Sequence, residues 1–410
     1  MRFAFVTTEF PVSRPDSGGL ASYSARMTRL LAEAGHQVDI FVPVEGGQAH
    51  LPPKMDWNGC RLHHIRTTRS VAARGVNRVL RLLGLGHLAM QRYWLARAEA
   101  VAKAVEYQHD SAPYDVVHSA DSYGIGLSIA PHPGRLNVVR CSAPMDLYMA
   151  CDGRTDRRSR AHAAREEAAV AAADFAFAPS HLTADHYSHK LGRKVAVLPT
   201  PIYLEPIYSK GAEPYGAVAG QISPSTPPRY LLHFANDLMP RKGTDLVMQA
   251  LPLALQQAPD LTLLCVGRIT PALHESLSRP LGPAMAQVRF LPRQNRAALY
   301  ALIRSAACSV LPSRIDNLPN TVLESLLLGT PVIGTRDSSI EELVEEGVTG
   351  VLVTNGSAPD LAEAMVRVWT GGLNLPPGLD WTETAIGHAF RPEVALAAYL
   401  AAITEARSAK

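Results

Sequence analysis

The feature that most constrains this chain is an alternation that occurs twice. Short β-rich runs take turns with longer segments of helical period. The first series opens with "RFAFVTT", a helix expected over about Ser22–Ala34, a stop at Gly35 and the run "QVDIFVP". A glycine there supplies the left-handed residue that ends a helix. Runs at "DVVHS" (115–119), "NVVRCS" (137–142), "FAFAPS" (175–180) and "VAVLP" (195–199) continue the series. Strands separated by helices imply a parallel sheet covered on both faces.

Between about Thr200 and Arg229 the pattern lapses into a stretch dense in Pro, Gly and Ser, which is the composition of a linker. Alternation resumes with "YLLHFAN" (230–236), a helix from about Thr244 to Gln257, "LTLLCVG" (261–267), "VRFL" (288–291), a helix from about Arg296 to Ala306, "CSVLPS" (308–313) and "GVLV" (350–353). At 410 residues the chain exceeds what one hydrophobic core serves. The expectation is an α/β protein of two doubly wound halves in series, with no tandem repeat.

Composition removes several functions. Apolar residues make up 47% and charged ones 19%, a folded rather than disordered profile. Forty Lys and Arg against 37 Asp and Glu give a net charge of +3, too little to argue for a nucleic acid partner. Cys60, Cys141, Cys151, Cys265 and Cys308 are odd in number and form no CxxC pair. Neither a disulfide framework nor a zinc site is supported, and a reducing, cytoplasmic compartment is expected. "MRFAFVTTEF" reads as a first strand and not as a signal peptide. No run approaches the roughly 20 apolar residues that span a bilayer.

Three stretches are candidates for chemistry. In "PDSGGLASYSARMTRLL", Gly18 and Gly19 stand between the first strand and a helix. Adjacent glycines let backbone approach a ligand, and a helix N-terminus attracts an anion, although a plain strand-to-helix turn has the same look. The spacing is not GxGxxG, which disfavours a nicotinamide dinucleotide. In "MPRKGTDLVMQAL", Arg241 and Lys242 lie between a strand end and the next helix, where two cations can neutralise a diphosphate; an RK pair is also common on solvated surfaces. In "RIDNLPNTVLESLLLGTPVIGT", Asp316 occupies a loop and Glu324 an otherwise apolar helix. Two such carboxylates suggest an acid and base pair, or acceptors for the hydroxyls of a ribose and a sugar. For Glu324 a solvated helix face is the plain alternative.

These motifs, in this order, resemble family 4 of the retaining glycosyltransferases. The family's hallmark is an acidic residue, seven others and a Glu, then a "GTPV" strand and an E-x-V-x-x-G-x-T-G tail. Here the acidic pair is Asp316 and Glu324, and the tail is Glu342, Val344, Gly347, Thr349 and Gly350. The resemblance covers nearly the whole chain. It implies the GT-B fold, two Rossmann-like domains facing each other across a cleft that holds a nucleotide-diphosphate sugar. Glu324 would hold the ribose, Arg241 and Lys242 with the Gly18 and Gly19 amides the diphosphate, and Asp316, Leu318 and Asn320 the donor sugar. A phosphate oxygen of the donor would assist deprotonation of a hydroxyl acceptor, with no protein nucleophile, metal or other cofactor. His118 falls where the family often has H-x-H and is the other catalytic candidate beside Asp316; a satisfied core histidine is its plain alternative. Asp121 and Arg140 are lesser candidates.

The chain departs from the family pattern at four points. Asp316 stands where Glu is usual, in a "DNLPN" loop found in bacterial polysaccharide and glycoconjugate enzymes. Asp237 occupies the place of the usual diphosphate arginine, with Arg241 as the substitute. Ser338-Ser339 replaces a Gly-Gly pair, and Ala120 replaces the second His.

The layout read from sequence is an acceptor-side domain over 1–205, a linker over 206–227, a nucleotide-sugar domain over 228–385 and a C-terminal helix over 386–410 that packs back on the first domain. Residues 66–103 combine Arg74, Arg78 and Arg81 with Leu80, Leu82, Leu83, Leu85 and Leu88, and a second basic run spans 153–165. Basic amphipathic segments dock on anionic lipid. Peripheral contact at the inner membrane face and a lipid-linked acceptor are the corresponding expectations, against a core helix with a solvated basic face. The rival functions are an epimerase or hydrolase of the same fold and a non-catalytic nucleotide-sugar-binding subunit.

Overall fold

The computed structural model describes residues 1–14, 18–45, 48, 50–67, 71–204, 226–234, 240–268, 270–372 and 380–410, excepting the side chains of 71–74 and 81. Two compact units are present: Met1–Pro201 with Pro392–Lys410, and Ile202–Arg391. Most of the linker expected over 206–227 lies outside the described residues, as does Asp237.

Unit 1 contains β1 (Arg2–Val6), α1 (Gly19–Glu33), β2 (Gln37–Val44), β3 (Lys54–Trp57), β4 (Cys60–Arg66), α2 (Val71–Leu82), α3 (Gly86–Ser111), β5 (Val116–Ala120), β6 (Leu136–Arg140), α4 (Met145–Cys151), α5 (Arg157–Ala172), β7 (Phe175–Ala178), α6 (His181–Leu191) and β8 (Ala196–Val197). Its sheet runs β3-β4-β2-β1-β5-β6-β7-β8. The period of two in a strand shows directly in the packing. Phe3 and Phe5 enter one core with Tyr23, Val116 and Phe177, whereas Ala4 and Val6 enter another with Val101, Val105 and Val117. Burial on both faces is what a parallel sheet between helix layers requires.

The wholly parallel expectation needs one correction, because β3 pairs antiparallel with β4. The turn joining them is Asn58-Gly59, with φ of 47° and 79°. Two successive left-handed residues make the tight turn whose twist suits a hairpin, and Asn-Gly is the pair that adopts it most readily. Within 66–103 the described residues hold two helices, α2 and α3, separated at Gly84 (φ 72°).

Unit 2 contains β9 (Leu231–Phe234), α7 (Thr244–Leu255), β10 (Leu263–Val266), α8 (Pro271–Leu281), β11 (Val288–Leu291), α9 (Arg296–Ser305), β12 (Cys308–Val310), α10 (Asn320–Leu327), β13 (Val332–Thr335), β14 (Gly350–Val353), α11 (Ala358–Trp369) and α12 (Ala385–His388). All strands are parallel, in the order β11-β10-β9-β12-β13-β14. Helix α13 (Pro392–Ser408) returns the chain to unit 1, where Tyr399 and Ile403 are fully buried in the Phe3 and Phe5 core. Arg407 pairs with Asp115 at 2.8 Å and Lys410 with Asp174 at 2.8 Å.

These strand orders set where a doubly wound sheet leaves room for a ligand. In each sheet the chain starts in the middle, builds outward one way and then returns to build the other way. The reversal lies between β1 and β5 in unit 1 and between β9 and β12 in unit 2. At such a point the loops leaving the carboxyl ends of two neighbouring strands diverge and leave a crevice.

Candidate active site

In unit 2 the crevice is bordered by the loops after β9 and β12, and these hold most of the candidate residues. Pro240–Lys242 form a single 3-10 turn, followed by Gly243 at φ 70°. A Cβ on Gly243 would lie 2.0 Å from the Pro312 carbonyl oxygen. Only glycine lets the two loops meet. Contact is then secured by several bonds. The Arg314 N–H donates to the Arg241 carbonyl at 2.8 Å, and the Arg314 guanidinium grips Asp245 with two bonds of 2.7 and 2.6 Å. Lys242 Nζ donates to Asp316 Oδ2, forming an ion pair in which the carboxylate is the more deeply buried partner.

Beneath the turn, His233 at the end of β9 is 1% exposed. Its Nδ1 lies 2.8 Å from the Val310 carbonyl and its Nε2 3.0 Å from Thr244 Oγ1. A carbonyl only accepts, so Nδ1 carries the proton and Nε2 accepts from the threonine. Burial pushes this imidazole down to about 4, which keeps it neutral. It thereby ties β9, β12 and the start of α7 together. The motifs single out neither His233 nor Arg314, whereas Gly243 stands inside "MPRKGTDLVMQAL", where a glycine after the two cations is the local signal for a left-handed turn.

Helix α10 starts at Asn320 with Pro319 as its N-cap. Its Val322, Leu323, Ser325 and Leu326 are buried, while Glu324 is half-buried among them. The Ser325 hydroxyl donates to the Thr321 carbonyl at 2.7 Å and lies 2.8 Å from Ser309 Oγ, from which it can accept, fixing the helix to β12. Leu318 is half-buried against the same apolar cluster. Arg241, Lys242, Asp316, Leu318, Asn320 and Glu324 therefore share one strand edge of unit 2. In the loop after β13, Ser338 Oγ donates to the Thr335 carbonyl at 2.9 Å, and Asp337 has φ 54°.

In unit 1, Gly18 caps α1 and Gly19 is its first residue. Both are exposed, and the Gly18 N–H donates to Glu9 Oε2 at 3.2 Å. The helix end thus already has a carboxylate beside it, the charge its dipole favours.

His118 is placed differently from its catalytic expectation. It is the central residue of β5 and shares the parity of Val116, so it points into the Phe3 and Phe5 core, where it is 3% exposed. The ring stacks on Phe5 at 4.3 Å and meets the Tyr399 hydroxyl at 3.0 Å. Burial, with the nearby Arg140 charge, lowers its pKa to about 3. This is the setting of a core histidine, and a catalytic role finds no support in it. Arg140 is no solvated cation either: it is 5% exposed, lies 4.0 Å over the Tyr23 ring and donates to Thr200 Oγ1 at 3.4 Å. Asp121 is 1% exposed and accepts from the Ser142 N–H at 2.8 Å.

Among the described residues, no group of three or more His, Cys, Asp or Glu is placed to hold a metal ion. No described helix is long and apolar enough to cross a membrane.

Two doubly wound α/β units, one of them with its candidate charged residues gathered at a single carboxyl edge, define the class of fold, and comparison with known proteins gives the family. Residues 18–201 match the model of the glycosyl transferase 4-like domain, and residues 228–370 match that of the glycosyl transferases group 1. The chain belongs to family 4 of the glycosyltransferases and has the GT-B fold. Its relatives include the D-inositol 3-phosphate glycosyltransferase of Nocardiopsis dassonvillei, 27% identical over 87% of this chain and 83% of the relative. That of Actinosynnema mirum is also 27% identical, over 92% and 90%. Among solved structures, sucrose-phosphate synthase from Thermosynechococcus elongatus superposes with a TM-score of 0.72 at 18% identity, covering 100% of both chains. Anabaena Alr3699/HepE, in complex with UDP, gives 0.66 at 16% identity, covering 99% of this chain and 100% of that one. The protein is a retaining glycosyltransferase that moves a sugar from a nucleotide-diphosphate sugar to an acceptor.

Proposed function

We propose that the donor is held at the β9/β12 edge of unit 2, with Arg241 and Lys242 on the diphosphate, Glu324 on the ribose, and Asp316, Leu318 and Asn320 on the sugar. The observation that carries this reading is the Lys242–Asp316 pair, drawn together by loops that a missing Cβ at Gly243 allows to touch. Before donor arrives, each charge has the other as its partner. A diphosphate offers Lys242 a stronger counter-charge, which releases Asp316 to accept sugar hydroxyls. Gly18 and Gly19 offer amides at a helix N-terminus of unit 1 to an anion, the diphosphate in this reading. As the sugar bond breaks, negative charge gathers on the leaving diphosphate, and fixed cations there lower the barrier. The leaving phosphate oxygen takes the acceptor's proton on the same face, which keeps the anomeric configuration.

The acceptor is a hydroxyl compound, and we assign it to bacterial polysaccharide, glycolipid or related glycoconjugate synthesis on the strength of the "DNLPN" loop. The relatives' names point to a phosphorylated cyclitol as one acceptor class. Exposed Val79, Leu82 and Leu83 beside Arg78 favour peripheral attachment of a cytoplasmic enzyme to anionic lipid, with a lipid-linked acceptor as the corresponding substrate. The side chains of Arg74 and Arg81 lie outside the described residues.

The test is a thermal-shift panel of UDP- and GDP-sugars on wild type, Lys242→Ala and Glu324→Ala. Wild type is expected to be stabilised by one donor class. Each variant is expected to lose that shift and at least about a hundredfold in transfer, the scale of a lost charge-assisted contact, with its unliganded melting temperature nearly unchanged. A Glu324→Ala enzyme that retains transfer refutes the ribose assignment.

A further inference from the structure

In unit 1 the turn after β5 holds one aromatic ring at the carboxyl edge of the sheet, beside the β1/β5 reversal. Tyr123 has φ 53° and is 37% exposed. A side chain of that size is strained in the left-handed region. Its backbone is nevertheless held on both sides. The Tyr123 N–H donates to Glu166 Oε1 at 2.9 Å, and its carbonyl accepts from Arg165 Nε at 2.7 Å. Glu166 is 2% exposed and takes a second bond from His162 Nε2 at 2.9 Å, while its Oε2 has no partner. Asp121, two residues before the tyrosine, likewise keeps Oδ1 buried and without a partner. Thr8 Oγ1 donates to Ser122 Oγ at 3.2 Å, tying this turn to the loop that leads from β1 to Gly18.

Ring geometry shows which way the tyrosine faces. His162 stacks on it at 4.3 Å with planes 9° apart, and Trp94 lies at 4.9 Å. The centroids of Trp94 and His162 are themselves 5.0 Å apart. Three nearly equal sides set Trp94 roughly 60° from His162 as seen from the tyrosine, so the two lie towards one side of it. His162 occupies one face of the ring, and the residue as a whole remains 37% exposed. Buried carboxyl groups, each with one oxygen unpartnered, therefore hold a partly exposed aromatic ring at the edge where α/β sheets take their ligands.

We propose that Tyr123 is a stacking platform for the six-membered polyol ring, pyranose or cyclitol, of the acceptor. Such rings have an apolar C–H face that lies flat on an aromatic and a rim of hydroxyls that seek polar partners. Tyr123 supplies the flat surface, and the buried Glu166 and Asp121 carboxyl groups behind it fix the turn that presents it. The proposal rests on the sugar-transfer reading but concerns the acceptor alone, so the two are tested separately.

Trp94 is the reporter, because it touches Tyr123. Its emission is followed as wild-type protein is titrated to high millimolar concentration with myo-inositol, with methyl α-D-glucopyranoside and with mannitol, an acyclic polyol that lacks a ring face. A saturable change is expected with at least one of the two cyclic compounds and not with mannitol, and which one responds separates cyclitol from pyranose. Tyr123→Gly removes the ring and relieves the left-handed strain, so it is expected to melt no lower than wild type yet lose the response. Tyr123→Phe is expected to keep it. No cyclic response in wild type, an equal response to mannitol, or an undiminished response in Tyr123→Gly overturns the proposal. A melting shift with UDP- or GDP-sugars on the same samples reports the donor site independently: donor binding without a polyol response removes the platform and leaves the donor reading standing.

Discussion

Two buried groups in unit 1 carry titrations of opposite sign. Burial, reinforced by the Glu166 charge, raises Asp121 to about 8, against the opposing Ser142 hydrogen bonds and Arg140 charge. An unfolded aspartate titrates near about 3.9. Between those values the folded protein holds a proton that the unfolded chain releases, so this group's contribution is complete below about pH 4 and is lost as pH rises through about 8. His118, lowered to about 3, acts the other way: its contribution is complete above about pH 6.5 and fades as pH falls towards 3. The slopes oppose one another at acid pH, and above about 6.5 Asp121 acts alone. Asp121→Asn is therefore expected to flatten the loss of stability between pH 6.5 and 8, a loss of up to about 1.4 kcal/mol per pH unit in wild type. Chemical denaturation at the two pH values measures it. Little of this was legible in "YDVVHSADSYG". Strand parity there tells which face His118 occupies, yet the depth of that face depends on Tyr399, 281 positions along the chain.

At the scale of elements, the proposed donor edge depends on the close approach of the turn at 240–243 to the loop at 311–316. Gly243→Ala would place a methyl group inside the Pro312 carbonyl and in a left-handed backbone. The turn must withdraw, taking Lys242 from Asp316. The expected result is a loss of roughly 1–3 kcal/mol in unfolding free energy and a more than tenfold fall in transfer. Wild-type values in both assays would show that the contact does not shape the site. The elements themselves were mostly readable, because helix and strand periods are local. Edges were less so: "VAVLP" yields only Ala196–Val197 as strand, and the Asn58-Gly59 hairpin signal stood in the sequence but outside the β-α alternation. Loop contacts such as Arg314 with Asp245 were not readable, since nothing in either segment names the other.

The chain as a whole leaves unit 1 at Pro201 and returns to it at Pro392. Helix α13 then fills a core that the first two hundred residues leave incomplete, with Ala395, Tyr399 and Ile403 fully buried. Truncating a single large core side chain costs about 2–5 kcal/mol, and whole domains hold only about 5–15. Ending the chain after Arg391 is expected to abolish or strongly lower the melting transition of unit 1 while that of unit 2 stays in place. Calorimetry resolves the two, and an unchanged upper and lower transition would show α13 to be dispensable.

By itself the sequence determined the class of fold, the division into two sheets, the parity that sends Phe3 and Phe5 to one face and Ala4 and Val6 to the other, and the family motif around Asp316 and Glu324. These follow from chain geometry over a few residues. Tertiary structure alone decided that Lys242 meets Asp316 across 74 positions, that Arg314 meets Asp245 across 69, and that His118 belongs to the core. Those pairings depend on which strands lie side by side, and that order is settled by the connections and the core packing of the whole unit, not by anything local to either partner.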